Sequence, residues 1–446
     1  MKKSKLLIIL SMILIIAVLS ACNEKIVPYT SVIDEAAPST PSASAEPARE
    51  PEAEPLIATH PIIGHRHMPQ VLHPPRDTSE KELVEYPTLT VEANIFFETG
   101  AAIRSAILAE GGTLYFGNED SVFYALDIST GQIIWTFSTD EAVQTRPVLT
   151  NGKIIFNAGN SLYILNSATG DSIHIITYPS DYDIRVSEDI FAFNDSHVAV
   201  SDGVAYFIAL NGDLVAVDII SGEIAWTLET DMRRVAVSGV NYYNGKLYYI
   251  LSPGILYAID IQTRQILFET HMWNMPFNPM TIYDSRIYIG GRGSRFYHID
   301  ASSGYVIWRS HSRSSGTWFS GGSVIIGDNV FTGTADENHI TVFDKDTGEF
   351  QRRYSVMGFV YTPPLRHGNN IVAITTNIFT AVEDHVVAPE RQIPGSYAMA
   401  IDTENHTKLW IAPFDDTVLS SPAIYQNVLF FGSDSGTVYS IDLERF

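Results

Sequence analysis

Few side chains in this 446-residue chain are placed to do chemistry. Cys22 is the one cysteine, so no intramolecular disulfide and no Cys-based zinc site can form. His60, His65, His67 and His73 fall within 14 residues and are of a metal-ligating type. Pro61 and Pro74 follow the first and last, and no carboxylate or thiol adjoins them, which favours a polar tether over a metal site. Asp344-Lys345-Asp346-Thr347-Gly348-Glu349 looks like half a calcium loop, but the rest of a twelve-residue loop is absent and a hairpin turn accounts for it. Asp415-Asp416 reads as a turn in the same way. No Ser-His-Asp spacing, phosphate loop or metal motif stands out. The densest grouping of recognition chemistry is aromatic: Trp273, Met275 and Phe277 in HMWNMPFNPM, Trp318 and Phe319 in HSRSSGTWF, and Phe359 and Tyr361 in SVMGFVY. Clustered aromatics and methionines on a surface mark a partner or ligand face; folded inward, the same residues would plug a channel mouth.

The elements that carry these residues repeat. Thr113–Phe137 (TLYFGNEDSVFYALDISTGQIIWTF) reads as three short strands joined by two tight turns, which must pair antiparallel. The acid or amide closing the middle strand recurs as Asp127, Asn166, Asp218, Asp260, Asp300, Asp344, Asp402 and Asp442, at spacings of 39, 52, 42, 40, 44, 58 and 40. Four residues on, glycine recurs at 131, 170, 222, 304 and 348; eight residues on come Trp135, Trp226, Trp308 and Trp410, with Phe268 standing in once. Two residues before the acid lies Ala125, Ala216, Ala258 or Ala400, and in one repeat His298, which either faces a central channel or fills a gap beside a neighbouring sheet. A period near 40–45 residues with four strands each is that of a propeller blade. The expected fold is all-β, an eight-bladed β-propeller of four-stranded antiparallel blades. The last repeat stops at Phe446 without an outer strand, and Leu89–Glu98 (LTVEANIFFE) ahead of the first resembles one, so the N-terminus is expected to complete the last blade and close the ring. Pro147, Pro279, Pro363 or Pro364, and Pro422 are expected in first strands, at each blade's inner edge. Insertions at 178–195 and about 376–394, and the three aromatic stretches, all fall in connections on one face of the ring.

The pattern A-x-D-x-x-[ST]-G-x-x-x-W resembles the repeat of the PQQ-like propeller family over roughly residues 90–446. Individual repeats depart from it: His174 and Arg352 stand where tryptophan is expected, and Arg264 replaces glycine. The family includes quinoprotein dehydrogenases and the propeller lipoprotein of the outer-membrane β-barrel assembly machinery. The resemblance implies that Trp135, Trp226, Trp308 and Trp410 dock between blades over small residues and are structural.

The front of the chain is of another kind. Residues 1–21 hold Lys2, Lys3, Lys5 and the apolar run Leu6–Leu19, and read as a signal peptide too short for an ordinary transmembrane span. Leu19-Ser20-Ala21-Cys22 resembles the bacterial lipobox, which makes Cys22 the expected lipidation site. The chain is then exported and lipid-anchored to a bacterial membrane, on the outer face of the cytoplasmic membrane or the periplasmic side of the outer membrane. Residues 22–84 form an expected disordered tether: Asn23–Glu80 holds ten of the 22 prolines, among alanine and acid that cannot build a core. Residues 85–446 are the propeller. The formal net charge of −23 excludes nucleic-acid binding through a basic face.

Three functions fit. The first is a non-catalytic, membrane-tethered scaffold with envelope protein partners, held through the propeller loops, and no cofactor. The second is a quinoprotein-type oxidoreductase with PQQ and calcium; methanol-dehydrogenase-like members carry adjacent cysteines under the cofactor, and this chain has none after Cys22. Arg233, Arg234, Arg292 and Arg295 are the basic residues available for the quinone carboxylates. The third is a cell-wall glycan-binding module, with Trp273 and Trp318 stacking on sugars. The anchor and tether favour the first reading, with envelope protein assembly as its setting.

Overall fold

A computed structural model describes residues 89–179, 197–229, 238–272, 279–291, 293–311, 318–335, 338–376 and 396–444. They form eight antiparallel sheets arranged as a ring, with no helix among the described residues. Blades one to eight span 108–138, 148–177, 199–228, 241–271, 281–311, 323–355, 365–414 and 423–442. First strands of successive blades approach one another (blade one with eight, three with four, and five through eight in series), so they line the centre of the ring.

The middle strands explain why single blades need neighbours. Phe123–Leu126, Leu162–Leu165 and Leu256–Ile259 are buried at every position, so both faces of each sheet are covered. Alternate residues of one strand enter different cores: Phe123 and Ala125 pack with Phe156 and Tyr163 of blade two, while Tyr124 and Leu126 pack with Phe430 and Val438 of blade eight.

The recurring acid has a turn-forming role. The Asp127 Oδ1 accepts the N–H groups of Ser129 and Thr130, both at 2.9 Å, and the Gly131 N–H returns to the Asp127 carbonyl at 2.8 Å. Asp218, Asp260, Asp300, Asp344 and Asp402 cap their turns in the same way, and Asn166 does so with a carbonyl oxygen. The fifth position of this turn is left-handed, which favours glycine. Arg264 and His406 adopt the same conformation without being glycine. The tryptophan of one blade rests on the glycine of the next: a Cβ at Gly170 would lie 2.6 Å from Trp135, and one at Gly348 2.5 Å from Trp308. The Trp135 indole donates to the Ser167 carbonyl at 3.0 Å and that of Trp308 to the Lys345 carbonyl at 3.1 Å. His174 takes the same seat over Gly222 and bonds the Ile220 carbonyl at 2.9 Å; where Arg264 replaces glycine, its guanidinium lies 5.7 Å over Trp226.

The ring closes through the N-terminus, with one refinement. β1 (Leu89–Thr90) and β2 (Asn94–Glu98) go to different blades. β2 pairs antiparallel with Thr437–Asp442 and completes blade eight, whereas β1 pairs parallel with the outer strand of blade seven, Leu89 opposite Trp410. Blade seven thus has five strands. The prolines are displaced from expectation: Pro147, Pro279, Pro364 and Pro422 lie just before first strands that begin at Val148, Thr281, Leu365 and Ala423. Lacking an N–H, proline marks the end of the crossover and leaves the ladder intact. Nearly all of both insertions lies outside the described residues.

Candidate functional site

The face carrying the crossovers between blades is built from the ladder ends upward. Crossovers meet the loops between second and third strands: the Val143 N–H donates to the Asn118 carbonyl at 3.1 Å, Ala335 to Trp318 at 2.9 Å and Asp434 to Thr417 at 2.8 Å. Four crossovers share one anchor, an apolar side chain seated on the glycine that ends the preceding blade's second strand. Val143 sits on Gly117, Phe319 on Gly290, Val360 on Gly333 and Ile103 on Gly432, where an added Cβ would approach to 2.3–2.5 Å. A hydroxyl two residues beyond Ile103 and Val418 then braces the second strand of the blade that the crossover enters. Ser105 donates to the Gly117 carbonyl at 3.0 Å and accepts its N–H at 2.8 Å, and Ser420 does likewise at Gly432. Thr145 and Ser238 brace Asn157 and Ile250 over the same twelve-residue separation. This spacing is visible in the sequence, but its serines and threonines were not singled out there.

These contacts settle where four aromatics lie. Phe319 is fully buried as a crossover anchor, in contact with Phe296 and Phe343 at ring distances of 5.6 and 6.0 Å. Trp318 and Tyr361 are buried edge to face at 5.8 Å, with Ala335, Phe359 and Leu419 around them. The backbone of Phe359 pairs with Thr376 across the start of the blade-seven insertion. Of the two arrangements open to these aromatics, the inward-folded one is found for Trp318, Phe319 and Tyr361, which leaves them unavailable as an exposed contact surface or as sugar-stacking platforms. Phe359 is half-buried. Trp273, Met275 and Phe277 lie outside the described residues, as does Cys22.

Large exposed apolar side chains occur instead along the outer rim: Ile133 and Ile134 in blade one, Ile173 and Ile175 in blade two, and Ile220 and Ile224 in blade three. Polar contacts at the crossover face link loop to crossover. The Arg104 guanidinium donates to the Asp434 carboxylate at 3.3 and 3.4 Å, the Gln144 amide to Glu119 at 3.0 Å, and the Ser435 hydroxyl to Asp416. Burial pushes the Asp434 carboxyl up despite Arg104 beside it.

Among the remaining candidates, Asp344 and His298 have structural contacts. Asp344 caps its turn, and Lys345 bridges Asp328 and Asp346 at 2.8 and 3.0 Å. No group of three His, Cys, Asp or Glu among the described residues is placed to hold a metal ion. Arg233, Arg234 and Arg292 lie outside the described residues; Arg295 begins the third strand of blade five. His298 is buried between blades five and six, not on the channel.

The blade repeat, the turn-capping acids and the interblade tryptophans define a PQQ-like β-propeller. A family model described as outer membrane protein assembly factor BamB matches residues 90–246 and 210–445, and the chain belongs to that family. The outer membrane protein assembly factor BamB of Yersinia pestis is 24% identical over 279 residues, covering 59% of this chain and 67% of its own. That of Escherichia coli K12 is 22% identical over 295 residues, covering 62% and 71%. Among solved structures, BamB from Moraxella catarrhalis superposes with a TM-score of 0.51 at 16% identity, covering 61% of this chain and 79% of that one. The designed protein Ika8 superposes at 0.60 with 14% identity, covering 78% and 98%. These likenesses show the fold.

Proposed function

We propose that the chain is a lipid-anchored, non-catalytic propeller that holds protein partners at the bacterial cell envelope during outer membrane protein assembly. The observation that carries the reading is the family match spanning the whole ring, from residue 90 to residue 445. The basic and apolar leader, followed by Leu19-Ser20-Ala21-Cys22, supports anchoring through Cys22. The partner face is the crossover face, with Trp273, Met275, Phe277 and Phe359 as its contact residues and the buried Trp318, Phe319 and Tyr361 as its foundation. The reading includes no cofactor.

The test is crosslinking in native membranes followed by mass spectrometry. It compares the unaltered protein with a Trp273→Ala, Phe277→Ala variant and with Ile175→Lys on the outer rim. Loss of one specific envelope protein from the first variant alone supports the reading. Loss from Ile175→Lys alone moves the contact to the rim, and no crosslinked partner in any form removes the scaffold role.

A further inference from the structure

His298 occupies a slot that is alanine in blades one, three, four and seven. In three of these the alanine lies between a tyrosine of the second strand and a large ring of the outer strand: Tyr115 and Trp135 flank Ala125, Tyr206 and Trp226 flank Ala216, and Tyr248 and Phe268 flank Ala258. The two rings lean together over it, with centroids 6.0, 5.8 and 6.4 Å apart. In blade five the flanking rings, Tyr288 and Trp308, keep the same kind of spacing, 6.4 Å, and the imidazole packs against both. It stacks on Tyr288 at 4.6 Å and 8° and meets Trp308 edge to face at 5.1 Å. The side chain is 2% exposed, and neither ring nitrogen has a hydrogen-bond partner.

Both flanking rings are fasteners of the seam to blade six. The Trp308 indole and the Tyr288 hydroxyl donate to the same Lys345 carbonyl, at 3.1 and 3.4 Å. The corresponding tyrosine bond is shorter in other seams, 2.7 Å from Tyr248 to Ala301 and 3.2 Å from Tyr115 to Ser167. The charges acting on the imidazole are Arg286 and Asp300 on its own blade, themselves paired, and Asp346 on the blade-six turn. None reaches a ring nitrogen, so a proton arriving there would place a charge among aromatic rings with no acceptor.

We propose that the seam between blades five and six is an acid-sensitive joint, shut while His298 is neutral between Tyr288 and Trp308 and loosened when that imidazole takes up a proton. Burial is the main cause that lowers its pKa from 6.5 to about 4; Arg286 adds to the lowering, while Asp346 and Asp300 oppose it. The sign follows. Between about 6.5 and about 4 an opened seam binds a proton that the closed seam does not, so stability is full above this window, falls as the pH falls through it, and loses nothing further below it. The turn aspartates Asp127, Asp218, Asp260 and Asp402 are held below the usual carboxylate range by hydrogen bonds, so their contribution is lost at lower pH than that of His298. Phe319 belongs to the same packed cluster as Trp308 and Tyr288, so the joint lies beneath the crossover that carries Phe319 and Trp318.

The experiment follows the denaturation midpoint of the full chain from pH 7.5 to 4, alongside His298→Ala and His298→Phe, and the His298 imidazole by NMR. The expected result is that the unfolding constant of the unaltered chain rises on the order of a hundred-fold more than that of either variant over this range. His298→Phe keeps an uncharged ring in the slot and decides the matter if His298→Ala does not fold. Parallel pH curves for the unaltered chain and His298→Phe, or an imidazole titrating above pH 6, would overturn the proposal.

Discussion

At Gly348 the backbone has φ +70°, and a Cβ there would come within 2.5 Å of the Trp308 ring. Gly152 has the same φ, +70°, but open space where its Cβ would go. Comparing them separates the two reasons a repeat keeps glycine. Gly152→Ala bears only the left-handed conformation, about 1 kcal/mol. Gly348→Ala bears that and also displaces a fully buried indole that holds two blades together, for about 3 kcal/mol in all. Urea denaturation of the two variants checks the order; equal losses would mean that Trp308 shifts without cost and that the tryptophan–glycine seat is not a fastener. The glycine and tryptophan slots were legible in the sequence because both sit at fixed offsets from the turn acid. The burial of Trp318 and Phe319 was not, because it depends on Gly290 and on Tyr361, which reach them only after the chain has crossed to other strands and a neighbouring blade.

Strands that repeat a local template were read closely, whereas those shaped by the ring's own closure were not. The middle strand expected from Asp127 is found as Val122–Asp127, whereas Leu89–Glu98, read as one outer strand, divides between two blades. Sequence pattern shows that a segment can be a strand; which edge it joins depends on where the ring leaves an edge open. The two N-terminal strands therefore differ in consequence. β2 carries Phe96 and Phe97, which join the core between blades eight and one, with Phe96 packed edge-on against Phe430 at 5.1 Å. β1 adds two residues to a blade that already has four strands, and Leu89 is largely exposed. Deleting residues through 93 is expected to lower the denaturation midpoint slightly. Deleting through 98 strips the outer strand from blade eight and two aromatic rings from the core, a loss of about 4 kcal/mol or more. Similar midpoints for both truncations would show that the ring does not depend on β2 for closure.

For the whole molecule, the seam between blades eight and one is where chain ends far apart in sequence must meet. Backbone bonds cross it from Thr99 to Gly436 at 2.8 Å, Ile103 to Ser433 at 2.9 Å and Ile107 to Ser421 at 3.0 Å. Arg104 and Asp434, 330 residues apart, add the ion pair at its crossover face. No periodicity predicts such a pair, because the repeat encodes each blade and not its closing partner. Burial raises the Asp434 pKa more than Arg104 lowers it, so Arg104 offsets only part of the cost of charging the carboxyl. Arg104→Ala leaves that charge half-buried without its partner. With the two side chains 34% and 25% exposed, screening reduces the loss to about 1–2 kcal/mol at pH 7. The sign with pH is opposite to that at His298. Once the pH falls through the raised pKa of Asp434, the carboxyl is neutral and needs no cation, so the difference between Arg104→Ala and the unaltered chain should shrink toward acid. Asp434→Asn should carry much less of this pH dependence, since the amide does not titrate. Denaturant midpoints of the three proteins, followed from pH 7 down through the carboxylate range, test this. A gap between Arg104→Ala and the unaltered chain that stays constant across that range would mean that the pair acts by packing alone and that the closing seam carries no charge-dependent hold.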